Sequence, residues 1–348
     1  MNPYIMALLI FGLVLGTSIT ASSSHWLLAW MGLEINTLAI IPLMAQNHHP
    51  RAIEATTKYF LTQATAAATL LFASVTNAWL TGQWDISLMT HPIPTAMIIL
   101  ALSLKLGLAP LHTWLPEVLQ GLDLTTGLIL STWQKLAPFI LLIQIPCPNH
   151  ELLIILGLMS TLTGGWGGLN QTQLRKILAY SSIAHLGWML LIIQFAPTLT
   201  LLALMTYLVM TTATFLTLKN SKATNINTLA TSWAKAPLLT AMTPLLLLSL
   251  GGLPPMTGFL PKWLILQELT KQQLPMTAVL AALTALLSLY FYLRLCYAMT
   301  LTMPPNNLSN TSLWRLPTMN TSLLLSISIL TAILTLPLSP AITAILHL

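Results

Sequence analysis

Charge is what this chain has least of. Only 6% of its 348 residues are Asp, Glu, Lys or Arg, against 55% hydrophobic. A soluble chain carries about a quarter charged residues, so a water-facing surface of this size could not be covered. The bilayer is the expected solvent. Cysteine is almost as scarce. Cys147 and Cys296 have no CxxC spacing and no neighbouring His cluster, and a zinc or iron–sulfur site needs more ligands than that. Two unpaired thiols in apolar surroundings are expected, and no metal. The 13 Lys and Arg outnumber the 7 Asp and Glu but stand singly. With no basic run to follow a phosphate backbone, nucleic acid is not an expected partner. The start, Met1-Asn2-Pro3-Tyr4, has no positive segment and no small-residue cleavage site, so no signal peptide is expected.

What the chain does have is long apolar runs. A membrane span takes roughly 20 apolar residues, and the runs between polar or Pro/Gly breaks predict about eleven helices. Their approximate limits are 3–21, 25–45, 52–80, 93–121, 125–145, 151–170, 175–195, 198–218, 237–271, 275–300 and 320–346. The expected fold class is an all-α polytopic membrane protein, since continuous runs do not suit a barrel. Loops are short except 219–236 and 301–319, rich in Asn, Thr, Ser and Pro. Charge supports the layout. Arg51, Lys58, Arg175, Lys176, Lys219, Lys222, Lys235, Arg294 and Arg315 fall on or near the N-terminal side, whereas Lys271, Asp85, Glu151 and Glu268 fall opposite. Positive charge gathered on one side is what a correct helix count should give.

Two predicted helices are long and interrupted. Gly107-Leu108-Ala109-Pro110 leads to Trp114-Leu115-Pro116-Glu117, and Gly252-Leu253-Pro254-Pro255 leads to Phe259-Leu260-Pro261-Lys262. Proline removes a donor and clashes with the preceding turn, so both helices should break. The two motifs keep a constant register of 145 residues, from Gly107 to Gly252 and from Glu117 to Lys262. Helix four thus becomes helix nine. A shift by five helices is odd, so two copies would sit upside down relative to each other, a pattern typical of translocation pathways. The expected organisation is a single membrane domain, 1–348, with repeats over 1–145 and 151–300 and an additional C-terminal helix over 320–346.

Ionisable residues inside spans are costly and point to function. Glu34 falls mid-helix in Trp30-Met31-Gly32-Leu33-Glu34-Ile35-Asn36; Lys105 precedes the first break, Lys135 lies mid-span, and Lys262 comes after the second break. Burial disfavours a charged lysine and a nearby carboxylate favours it. A Glu34–Lys105 pair would therefore couple the lysine's proton to the position of its partner, unless it is a static structural pair. Lysine, unlike arginine, can release its proton when buried. His112 and His185 are candidate relays, since neutral imidazole accepts on one nitrogen and donates on the other. A satisfied core histidine is the competing reading. Lys58, four residues after Glu54, reads as a surface ion pair, with a funnel role at a proton inlet left open.

Gly107 to Glu117 resembles the broken-helix signature of the antiporter-like subunits of respiratory complex I and of multisubunit cation/proton antiporters. Gly251-Gly252-Leu253-Pro254-Pro255-Met256-Thr257-Gly258-Phe259-Leu260-Pro261-Lys262-Trp263 resembles the subunit 2 branch, as does the stretch from Gln173 to Trp188. The likeness runs from end to end, although relative to the bacterial pattern the chain is expected to lack the first few helices. It implies a multi-pass protein of the mitochondrial inner membrane, N-terminus in the matrix and C-terminus in the intermembrane space. It also implies other membrane-arm subunits and membrane lipid, cardiolipin included, as partners. NADH, FMN, iron–sulfur clusters and ubiquinone would be bound elsewhere in the complex, and no cofactor in this chain. Glu34, Lys105, Lys135 and Lys262 would match the family's glutamate, partner lysine, central lysine and terminal lysine.

The leading expectation is proton translocation coupled electrostatically to electron transfer in other subunits. Protons would enter through one repeat, pass the lysine–histidine line and leave through the other. A cation/proton antiporter subunit and a non-pumping assembly scaffold are the alternatives. On a native gel, comigration with NADH-oxidising activity is the expected result; migration apart from it would favour the antiporter.

Overall fold

The computed structural model describes residues 2–46, 48–146, 150–234, 237–301 and 322–345. Cys147, Lys235 and Arg315, and the loop over 302–319, lie outside the described residues. The helices are α1 (Pro3–Ser22), α2 (Trp26–Met44), α3 (Pro50–Thr81), α4 (Pro92–Leu106), α5 (Trp114–Gly121), α6 (Leu124–Gln144), α7 (His150–Gly168), α8 (Leu174–Ile192), α9 (Pro197–Ser221), α10 (Ile226–Ala230), α11 (Pro237–Gly251), α12 (Phe259–Lys271), α13 (Pro275–Thr300), α14 (Ser322–Leu334) and α15 (Ser339–Ile345). Proline opens α1, α3, α4, α9 and α13, at the position where its missing N–H costs nothing. Asn2, His25 and His49 accept the next free N–H of α1, α2 and α3 with their side chains, offsetting the orphan donors of each helix start.

The helices form two compact units, residues 1–160 and 161–348. In unit one α1 and α2 cross closely: a Cβ on Gly16 would lie 2.8 Å from the Gly32 carbonyl. Small residues let membrane helices approach to this distance. Side chains of α6 then tie it to both, Trp133 Nε1 to the Leu13 carbonyl at 3.3 Å and Gln134 Nε2 to the Asn36 carbonyl at 3.3 Å. Large apolar residues such as Phe11, Phe72, Trp79 and Met276 are left exposed, which suits lipid and not water.

Both predicted breaks are present, between α4 and α5 in unit one and between α11 and α12 in unit two. Each first half ends on a left-handed glycine, Gly107 at φ 77° and Gly252 at φ 79°. Gly107 and Leu108 both donate to Ser103 O, and Gly252 and Leu253 both donate to Leu248 O, the αL-capped helix end that glycine permits without strain. Each unit also has one antiparallel bridge between loops: His25 with Asp85, and Gln173 with Asn225.

Beyond the caps the two units diverge. In unit one Trp114 Nε1 donates to Leu104 O at 3.1 Å. In unit two the matching aromatic is Phe259, which has no donor, and Lys262 Nζ donates to Gly251 O at 2.8 Å instead.

The prediction of one continuous helix over 320–346 is corrected. The chain forms α14, a 3-10 turn over Leu336–Leu338 and then α15. Pro337 and Pro340 lack the N–H groups that a continuous helix would need there. The 219–236 loop also contains α10 and a 3-10 turn, Thr231–Ala234. Cys296 is a buried free thiol, as expected of that residue.

Alanine at Gly107 should be costly, because its Cβ would meet Leu115 Cδ1 at 2.8 Å and the left-handed backbone alone penalises a side chain by about 1–2 kcal/mol. We expect Gly107→Ala to lower the inactivation temperature of the protein in its membrane; an unchanged temperature would show that the break tolerates a Cβ.

Candidate functional site

Unit one brings three of the predicted residues together. Glu34 sits mid-way along α2, where Thr37, one turn on, shares its hydroxyl proton between the Glu34 backbone carbonyl at 2.9 Å and Glu34 Oε2 at 3.2 Å. The other carboxylate oxygen, Oε1, faces Lys105 Nζ at 3.9 Å. A docked ammonium–carboxylate bond is about 2.7–2.9 Å long, so this pair attracts without closing. Lys105 lies in the last turn of α4 with its side chain 2% exposed, and the carbonyl end of a helix favours a cation. Neither Glu34 Oε1 nor Lys105 Nζ has a hydrogen-bond partner among the described residues.

Lys135 is buried on α6. Pro138, one turn on, removes the N–H that the Gln134 carbonyl would otherwise receive, adding a polar atom beside the lysine. Lys105 and Lys135 line the same small cavity of about 20 Å³ together with Asn36, Thr37, Gln63 and Gln134. A cavity of that size holds about one water.

At the end of unit one, Lys58 is half-exposed and bonded to two carboxylates, Glu54 at 2.8 Å and Glu117 at 2.9 Å. The surface pair with Glu54 was expected; the link to Glu117 was not. α3 has 32 residues, about 48 Å at 1.5 Å per residue, well beyond a hydrocarbon core of about 30 Å. Its charged first turns can therefore overhang the bilayer, and the pair fastens α5, the second half of the broken helix, to that overhang.

Unit two holds Lys262 and His185. Lys262 lies in the first turn of α12, the positive end of that helix, and its side chain folds back to the carbonyl end of α11, which favours a cation. Lys262 and His185 line one small cavity of about 10 Å³ with Met210 and Pro261 among its walls. The His185 ring is 5.6 Å from that of Tyr207. His112 is half-buried within the first break and lines neither this cavity nor that of Lys105 and Lys135.

Thr37 and Gln63 were not among the residues expected from sequence. Each carried a signal: Thr37 is one helical turn from Glu34, and Gln63 is a lone amide in the Ala- and Thr-rich run Leu61-Thr62-Gln63-Ala64-Thr65.

Residues 23–288 match the family described as NADH:quinone oxidoreductase/Mrp antiporter, transmembrane, and residues 289–343 match NADH dehydrogenase subunit 2 C-terminus. The chain is 72% identical over 348 residues to NADH-ubiquinone oxidoreductase chain 2 of Tetraodon nigroviridis, covering 100% of both. It is 70% identical over 349 residues to that of Oncorhynchus mykiss, again covering 100% of both. Among solved structures it is similar to a chain of respiratory complex I from Thermus thermophilus with bound aureothin, with 30% identity, a TM-score of 0.81, and 96% of this chain and 80% of that chain covered. A chain of the Mrp complex from a Dietzia species shares the fold, with a TM-score of 0.75 and 19% identity over 85% of this chain and 61% of that chain. The protein with two broken helices and these buried lysines belongs to the NADH:quinone oxidoreductase/Mrp antiporter family, within the NADH-ubiquinone oxidoreductase chain 2 group.

Proposed function

We propose that Glu34, Lys105 and Lys135 form one proton-carrying set in unit one, and that Lys262 with His185 forms another in unit two. The setting for both is the family's: a proton-translocating membrane-arm subunit of NADH:ubiquinone oxidoreductase, multi-pass in the mitochondrial inner membrane. The redox cofactors belong to other subunits of that complex.

The observation that carries the reading is the open Glu34–Lys105 pair, 3.9 Å apart, beside a cavity that Lys135 also lines. With the carboxylate close, the Lys105 ammonium is paired in a low-dielectric site. If the carboxylate is drawn away, the ammonium becomes an unpaired buried charge, which is costly. The relief available is transfer of its proton across the cavity. An electrostatic change elsewhere in the complex need only move the pair, so no covalent chemistry is required of this chain.

The same reading treats residues 1–145 and 151–300 as copies of one five-helix element, supported by the shared 145-residue register and the matching glycine caps. It also puts the N-terminus in the matrix, supported by the Lys and Arg gathered on that side. Membrane lipid, cardiolipin included, is the proposed neighbour of the exposed apolar side chains. His112 retains a candidate role only at the first break, apart from the two cavities.

Lys105→Ala in the assembled complex tests the proposal. Turnover and proton pumping should fall together, by roughly 10²-fold if the lysine relays protons, with assembly on a native gel unchanged. Both activities at wild-type level would mean that the buried lysine is structural, and would leave the chain as a scaffold.

A further inference from the structure

The cavity in unit one has a wall that the proton-carrying residues do not account for. Gln63 on α3 is 4% exposed and Asn36 on α2 is 2% exposed, and both line the space between Lys105 and Lys135. Gln63 Nε2, both amide atoms of Asn36 and Lys105 Nζ have no hydrogen-bond partner among the described residues. Buried polar groups are seldom left so, because desolvation without a bond is costly. Here three different helices bring such groups to one small space of about 20 Å³, which has room for about one water.

The two amides are not equivalent. The Asn36 side chain packs against Gly16, so it is taken up in the contact of α2 with α1, while its backbone carbonyl accepts from Gln134. Gln63 has no comparable tie. An amide can donate and accept at once, whereas a lysine ammonium only donates. Gln63 is therefore suited to orient a water whose oxygen accepts from Lys105.

We propose that Gln63 is a positioning residue for proton transfer, holding a single water between Lys105 and Lys135. The step balances. The Lys105 ammonium gives a proton to the water oxygen, the water gives one of its own to the neutral Lys135 amine, and the water is regenerated. One positive charge has moved from Lys105 to Lys135. The inference rests on the proton-carrying role of those two lysines.

A pair of variants separates water-holding from simple packing. Gln63→Met keeps the volume and removes the amide; Gln63→Ala opens room that a second water can fill in a polar-lined cavity. If Gln63 only packs, Met is the milder change. If it positions water, the order reverses. In the assembled complex we expect turnover and pumping with Gln63→Met to fall about three- to tenfold below those with Gln63→Ala, the scale of one lost hydrogen bond, and the slowing by D₂O to increase. Met at wild-type rates, or Met above Ala, overturns the proposal. Lys105→Ala measured alongside keeps the two readings apart. Loss there with Gln63→Met at wild-type rates sinks only the Gln63 inference; no loss in either variant sinks the proton-carrying reading itself. Should Gln63→Met fail to assemble, a density map of the intact wild-type complex that resolves ordered water decides. A water within about 3.2 Å of both the Gln63 amide and Lys105 Nζ supports the proposal, and none there overturns it.

Discussion

In a hydrocarbon solvent each polar group must find its partner inside the protein, since the surroundings supply none. That constraint explains most of what is specific here. Ordinary helices meet it internally, which is why the chain can be so poor in charge and still fold. The positions where it is not met internally are the helix breaks, the mid-helix prolines and the buried ionisable residues, and these cluster. Pro138 frees the Gln134 carbonyl, directly before Lys135, and Lys105 lies in the last turn of the helix that Gly107 caps.

The two breaks show how one backbone solution supports different chemistry. Both caps use a left-handed glycine and the same bonding pattern. In unit one an indole donates to Leu104 O, and Lys105 faces Glu34 and the cavity. In unit two phenylalanine stands where tryptophan does, and Lys262 donates to a different carbonyl, Gly251 O. The residue matching Lys262 in unit one is Glu117, which is spent on Lys58 near the start of α3 instead. A shared scaffold thus presents a carboxylate-paired lysine in one unit and a carbonyl-bound lysine in the other.

The Glu34–Lys105 geometry has a consequence for coupling. A docked buried pair resists change, because separating it exposes two unpaired charges. A pair held at 3.9 Å has given up part of that attraction already. Modest changes in field or position then alter how well the ammonium is stabilised, which is what distant electrostatic control requires.

Sequence by itself determined the class, the helices and the charged candidates. Apolar run length and scarcity of charge dictate membrane spans, and Pro–Gly spacing dictates the breaks at Gly107 and Gly252, because these are local properties of the backbone. The same local logic faltered at Pro337 and Pro340, where a run apolar enough for one helix was divided by missing donors. Tertiary structure decided the rest. Nothing local places Gln63 beside Lys105, links Lys58 to Glu117, or leaves His112 off the cavity that the two lysines share. Those outcomes depend on which faces of separate helices meet, and an apolar helix with little amphipathic bias does not encode its facing direction in its own period.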